Sequence, residues 1–383
     1  MKTEFNIQNS KFVAEATPDI AMGFQVVSCP RPYRVIFPSG NSPAENLAKE
    51  VRAHKAPLML VDSRIQELYF GATPELTAAP TFSVVAREEA KDISTVLKVV
   101  DFLEQNAATK AAMLFVVGGG IVQDLGAFSG AMYKRGLPWT LVPTTLLAQG
   151  DSCVGGKTAL NYKKTKNLLA LFSAPRNVII DTGFLTTLPR DDMLSGAGEI
   201  FRLCITGGPA FLDVFVNLLP AFLSGDHEAT RKLIATSLSA KRVVVEFDEF
   251  ELDIRRSMNY GHSIGHALEA LTNYRIPHGV GVTIGILVEN EIAHRRGMFA
   301  RSERDRILAL GRQILPEASR QVFASTSFDG VLDLLRRDKK TEGTVLKLST
   351  LERIGQMRFI DFVLNAEGEK ELRAAVAAVV AEI

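Results

Sequence analysis

The chain has 383 residues, a formal net charge of +1 and 46% hydrophobic residues. That length exceeds what one hydrophobic core usually serves, so two domains are expected, and the near-neutral balance gives no bulk attraction to nucleic acid or to a membrane surface. The start, Met-Lys-Thr-Glu-Phe-Asn, lacks an apolar signal core, and no run approaches the roughly 20 apolar residues of a spanning helix. Three widely spaced cysteines, Cys29, Cys153 and Cys204, argue for reduced thiols rather than a disulfide framework. The expected location is the cytoplasm.

Residues 1–185 read as alternating strands and helices. Short apolar runs bounded by turn residues predict strands at 33–37, 56–61 and 81–85, and helical spacing predicts a helix over 93–105. Met113-Leu-Phe-Val-Val117 predicts a strand running into Gly118-Gly-Gly120. Strand, glycine turn and helix can cradle a pyrophosphate, because glycine lets the backbone approach and the helix N-terminus offers N–H groups. The pattern is not GxGxxG, so a tight turn without a ligand is the alternative. Asp62, just past the run that ends at Val61, stands where an acidic side chain holds a ribose hydroxyl or caps the next helix. Trp139-Thr-Leu-Val-Pro-Thr-Thr-Leu-Leu147 predicts a strand entering a threonine-rich turn. Gly155-Gly-Lys157 is not a P-loop: Gly150 stands six positions before Gly156, where that motif requires five.

Residues 186–383 read as mostly helical, with segments at 191–204, 227–247, 281–296, 302–314 and 367–381. His262 and His266 stand at i, i+4, and would share one helix face. His278 follows a turn-like segment, and Glu199 lies in the small, apolar stretch Ser195-Gly-Ala-Gly-Glu-Ile200. Two or three imidazoles with one carboxylate and an open position form the ligand set of a catalytic zinc site; ordinary polar residues of a half-buried helix are the alternative. Arg255, Asn259, His262 and His266 fall at i, i+4, i+7 and i+11, which predicts one continuous polar face suited to an anionic substrate.

Several motifs occur in one order between about residues 56 and 345: Glu88-Glu-Ala-Lys91, Gly118-Gly-Gly-Ile-Val-Gln-Asp124, Tyr133-Lys-Arg-Gly136, Pro143-Thr-Thr-Leu-Leu-Ala-Gln-Gly-Asp-Ser152, Val154-Gly-Gly-Lys157, Lys166-Asn167, Glu199, Asp248-Glu-Phe-Glu251, Asn259-Tyr-Gly-His-Ser-Ile-Gly-His266, His278-Gly279 and Arg337-Asp-Lys-Lys340. In these the chain resembles the sugar phosphate cyclase superfamily, and within it the 3-dehydroquinate synthase family. The resemblance implies an α/β, Rossmann-like NAD-binding domain at 1–185 and a mostly α-helical metal- and substrate-binding domain at 186–383. It implies NAD and zinc or cobalt as cofactors, a small sugar phosphate substrate and a homodimer. The reaction implied is cyclisation of a heptulosonate 7-phosphate with loss of phosphate. Related alternatives are a cyclase of sedoheptulose 7-phosphate and a metal-dependent polyol dehydrogenase.

The same resemblance implies residue roles. Glu199, His262 and His278 correspond to the metal ligands, which moves His266 to the phosphate. Lys157, Asn167, Asn259, His266 and Lys340 correspond to phosphate binding, with Arg135 contributed by a neighbouring subunit. Lys241 and Arg255 correspond to the holders of the substrate carboxylate, and Asp151 and Glu251 lie near the reacting hydroxyls. Asp62, Glu88, Lys91, Gly119, Gly120, Asp124, Thr144, Thr145 and Asp181 match NAD-contacting positions. The chain departs from the family pattern at Arg202, where lysine is usual, at Val280, where glutamate follows His-Gly, and at Gln123, where glycine is common. An arginine keeps the charge but does not donate a proton at neutral pH, and loss of the glutamate removes a carboxylate that could orient a metal ligand.

Overall fold

The computed structural model describes residues 2–163, 165–337 and 341–383. The chain forms two compact units, residues 19–188 and residues 1–18 with 189–383. The first 18 residues belong with the second unit. They form a hairpin, β1 (Lys2–Ile7) and β2 (Ser10–Glu15), and β1 pairs in parallel with a strand near residue 356. No local pattern in the sequence names so distant a partner.

The unit of residues 19–188 contains, in chain order, β3 (Phe24–Val26), β4 (Tyr33–Ile36), α1 (Pro43–Arg52), β5 (Pro57–Asp62), α2 (Ser63–Tyr69), α3 (Pro74–Ala78), β6 (Thr81–Val84), α4 (Ile93–Gln105), β7 (Met113–Gly118), α5 (Gly120–Met132), β8 (Trp139–Pro143), β9 (Lys157–Tyr162), β10 (Thr165–Phe172) and β11 (Asn177–Ile179). Seven strands form one sheet in the order β3-β4-β11-β8-β7-β5-β6, parallel throughout except for β3 at the edge. Every residue of β7 is buried, as expected of a parallel strand covered on both faces. Helix starts are set locally. Ser42 and Glu45 form a capping box at α1, and Asp92 accepts the Thr95 N–H at α4, 2.8 Å. From β5 the chain passes to its neighbour β6, and from β7 it passes the other way to β8. The adjacent strands β5 and β7 therefore flank a topological switch point, where open α/β sheets bind ligands at the carboxyl ends.

The other unit continues with α6 (Arg190–Gly207), α7 (Pro209–Leu223), α8 (His227–Phe247), α9 (His262–Leu271), α10 (His278–Arg295), α11 (Arg301–Ile314), α12 (Glu317–Ala324), α13 (Phe328–Arg336), β12 (Thr341–Glu342), β13 (Val345–Arg353), β14 (Gln356–Val363) and α14 (Ala366–Glu382). It is mostly helical as expected, and it also carries a five-stranded sheet, β12-β13-β14-β1-β2. Helix α6 is buried from Leu194 to Gly207 and α10 from Gly279 to Ala293, so both are central helices that are covered all round. Glycines set their spacing. A Cβ on Gly279 would lie 1.8 Å from the Ser195 carbonyl oxygen, and one on Gly285 would lie 1.9 Å from that of Gly261. Helices α6, α9 and α10 are thereby held at backbone contact. Among the described residues no helix is long and apolar enough to cross a membrane.

Candidate active site

Glu199 on α6, His262 at the start of α9 and His278 at the start of α10 converge because those three helices touch. Glu199 is 1% exposed. Its Oε1 lies 3.4 Å from His262 Nε2 and 3.1 Å from His278 Nε2. Its Oε2 accepts a 2.6 Å bond from the equally buried Arg202 Nε. Each histidine is held from behind: His262 Nδ1 stands 3.2 Å from the Tyr260 carbonyl and His278 Nδ1 3.1 Å from Glu269 Oε2. With Nδ1 of both rings turned outward to an acceptor, both Nε2 atoms turn toward Glu199, where a metal would take the place of the Nε2 proton of His278. Oε1 itself is buried and has no hydrogen bond of proper geometry. One anionic oxygen and two imidazole nitrogens facing one point fit a divalent metal such as zinc.

His266 joins the group, since the three imidazoles place ligand nitrogens within 4.8 Å of one another. Its ring lies 5.5 Å from that of His278, but it is more exposed than His262 or His278. Electrostatics separates the rings. Burial and the facing Arg202 hold His262 well below the ordinary imidazole range, against the pull of Glu199. His278 is penalised by burial too, yet the carboxylates of Glu199 and Glu269 push it up to about 10. Burial opposes ionisation of Glu199, and Arg202 with the two histidines outweighs it, keeping that carboxyl well below its usual range.

Two expectations change here. The stripe from Arg255 to His266 is not one helical face: residues 254–259 form a separate 3₁₀ turn, and Gly261, at φ +78°, breaks the path before α9. A Cβ there would lie 2.5 Å from the Val282 carbonyl oxygen, so both φ and space demand glycine. Val280 is a fully buried core residue of α10, and Glu269 is the carboxylate that holds His278 instead. Glu269 was not picked out in the sequence. Its signal was present: it stands three residues after His266 and seven after His262, on the same face of α9.

The remaining polar residues of this unit are organised around the 248–259 segment. Asp248 accepts backbone N–H bonds from Leu252, Asp253 and Arg255, 2.9 Å each, which keep its carboxyl low despite burial. Arg255 is 3% exposed and its guanidinium reaches the Glu249 carbonyl. Lys241, on α8, is 6% exposed. Asn259 donates to Glu251 Oε1, 3.0 Å. Lys340 lies outside the described residues.

In the 19–188 unit the NAD-matched positions gather at the carboxyl ends of parallel strands: Asp62 at β5, Gly119 and Gly120 after β7, Thr144 and Thr145 after β8, Glu88 and Lys91 beyond β6 and Asp181 after β11. The N–H groups of Gly120, Ile121 and Val122 open α5 without an intrahelical acceptor. A Cβ on Gly120 would meet nothing within 4 Å, and the Thr144 N–H bonds the Gly118 carbonyl at 3.1 Å. This cradle fits a pyrophosphate. Asp62 also caps α2, accepting from Arg64 N at 3.0 Å, and burial raises its carboxyl. Asp181 caps the next turn and accepts from Asn46 Nδ2 at 2.8 Å. Lys91 Nζ reaches both Asp124 Oδ2, 2.5 Å, and Asn167 Oδ1, 2.8 Å. Asp124 is raised by burial, with Lys91 working against the rise. Gln123 exchanges two 2.8 Å bonds with Ser152, tying α5 to the turn that bears Asp151. Lys157 and Arg135 are exposed, Arg135 with φ +62°.

Comparison with known proteins agrees with this architecture. The family described as 3-dehydroquinate synthase N-terminal matches residues 81–195, and that described as 3-dehydroquinate synthase C-terminal matches residues 196–341. The 3-dehydroquinate synthase of Geobacter metallireducens is 34% identical over 85% of this chain and 91% of its own length. That of Pelotomaculum thermopropionicum is 36% identical over 78% and 82%. Among solved structures, 2-deoxy-scyllo-inosose synthase complexed with carbaglucose-6-phosphate, NAD+ and Co2+ has a TM-score of 0.78 at 21% identity, covering 93% of this chain and 99% of that one. The 2-epi-5-epi-valiolone synthase of Streptomyces hygroscopicus, with NAD+ and Zn2+ bound, has a TM-score of 0.77 at 23% identity, covering 92% and 97%.

Proposed function

The chain belongs to the 3-dehydroquinate synthase family, and from that premise we propose that it cyclises a heptulosonate 7-phosphate, releasing inorganic phosphate with no net oxidation. The observation that carries the reading is the convergence of Glu199 Oε1 with the Nε2 atoms of His262 and His278, each ring held from behind. In this reading those three groups hold a divalent metal, and the cradle at Gly119 and Gly120 takes NAD. When bound, the metal would polarise the reacting hydroxyl and NAD would take up and return a hydride.

The chain's own residues do the rest. Asp151 and Glu251 hold and move protons at the reacting hydroxyls. Lys241 and Arg255 pair with the substrate carboxylate, where a guanidinium fork matches its two oxygens. Lys157, Asn167, Asn259, His266 and Lys340 bind the phosphate, with Arg135 supplied by the second subunit of a homodimer. Arg202 serves as a fixed partner for Glu199 rather than as a proton donor.

A phosphate-release screen tests this with three substrates: the heptulosonate 7-phosphate, its amino analogue and sedoheptulose 7-phosphate, which lacks the carboxylate. If Lys241 and Arg255 are matched to a carboxylate, the sugar that lacks one should be disfavoured by a factor on the order of a thousand. Equal use of both, or preference for the non-acid sugar, would show that Arg255 has another task. NADH accumulating in step with product would replace the cyclase reading by a dehydrogenase.

A further inference from the structure

We propose that Glu269 is a positioning residue of the metal site: it fixes the His278 ring through Nδ1 and strengthens Nε2 as a ligand. The inference rests on the metal site proposed above. Three observations carry it. Glu269 Oε2 lies 3.1 Å from His278 Nδ1, and both side chains are largely removed from water, at 15% and 30% exposure. A carboxylate in that place accepts a hydrogen bond from Nδ1–H, which keeps Nε2 aimed at Glu199 and makes it the nitrogen that gives up its proton to a metal. The second observation is the local field. His262 and His278 are the first residues of α9 and α10, so both rings stand at the positive ends of helices, which lower the basicity of a nearby imidazole. The third is the charge of the ligand set. Arg202 lies 2.6 Å from Glu199 and opposes its charge, so a dication there needs more negative field than Glu199 alone supplies. Glu269 adds it from the far side of His278. His262 is held by a neutral main-chain carbonyl instead, so the two ligands are not equivalent, and the charged support falls on His278.

The test compares full-length wild type with E269A, E269Q and H278A, each stripped of metal and titrated with Zn2+ and Co2+ against a chromogenic chelator. The inference predicts a loss of affinity of about 10- to 100-fold for E269A, a smaller but clear loss for E269Q, and an altered visible spectrum of bound Co2+ in both. E269Q keeps shape without charge, so wild-type affinity in E269Q overturns the inference whether or not E269A folds. The H278A variant separates the two levels. If it loses metal while E269Q binds like wild type, the metal site stands and the role of Glu269 falls; if H278A itself binds metal as wild type does, the site reading falls and the inference with it.

Discussion

At the scale of single residues, the site is a contest between burial and mutual charge. His262→Ala and His278→Ala should each remove stoichiometric zinc, while His266→Ala should keep the metal and lose phosphate affinity; metal analysis of the three purified variants checks the assignment. The proton on His278 gives a pH prediction with a definite sign. Its folded value of about 10 lies above the ordinary imidazole value near 6.5. The metal-free protein therefore gains stability from this proton fully below pH ~6.5, and the gain is lost as pH rises through about 10. Metal must displace the same proton, so apparent affinity should rise with pH across that window, with about one proton released per ion near neutrality. Calorimetry in buffers of different ionisation enthalpy reads this directly, and a pH-independent affinity would refute it. Arg202→Leu takes away one of the two cations facing the buried Glu199 and leaves only protonated His278, which should destabilise the metal-free protein by up to roughly 3–5 kcal/mol, with part of the loss restored by zinc in thermal melts.

At the scale of elements, three helices in backbone contact convert local sequence into site geometry. Gly285→Ala inserts a methyl 1.9 Å from the Gly261 carbonyl, so α9 must move off α10. A loss of about 1–3 kcal/mol together with reduced metal content is expected, and a variant unchanged in both would show that the spacing is set elsewhere. Much of this level was legible in advance: the 93–105 helix, the 227–247 helix and the strand into the glycine turn appear where periodicity and turn residues put them. The break at Gly261 was not, because helical spacing from Arg255 to His266 fits a continuous helix until φ at one glycine turns positive. The spacing that put Glu269 on the histidine face was present but did not single it out. A carboxylate on a helix face looks like a solvated charge until another helix brings His278 against it.

For the whole molecule, the proposed redox cycle closes on itself, so catalytic NAD should suffice and absorbance from NADH should stay flat at steady state. If Arg135 acts across a homodimer, mixing Arg135→Ala with Lys157→Ala chains should recover part of the activity that each lacks alone; no recovery, or an active monomer by sedimentation, would refute the shared site. The placement of residues 1–18 was not legible in the sequence, since a short alternating strand carries no address. That placement has a consequence for how the protein is made. The register sets Asn6 beside Gln356, so on the ribosome the first strand emerges some 350 residues before its parallel neighbour. The 19–188 unit has all its strand partners within its own span and can complete its sheet while synthesis continues. The hairpin β1–β2 has to wait, an edge exposed to wrong pairings for most of the translation time. Pulse proteolysis of stalled nascent chains should then find residues 19–188 protected well before the N-terminal hairpin, which becomes resistant only after β14 has left the exit tunnel.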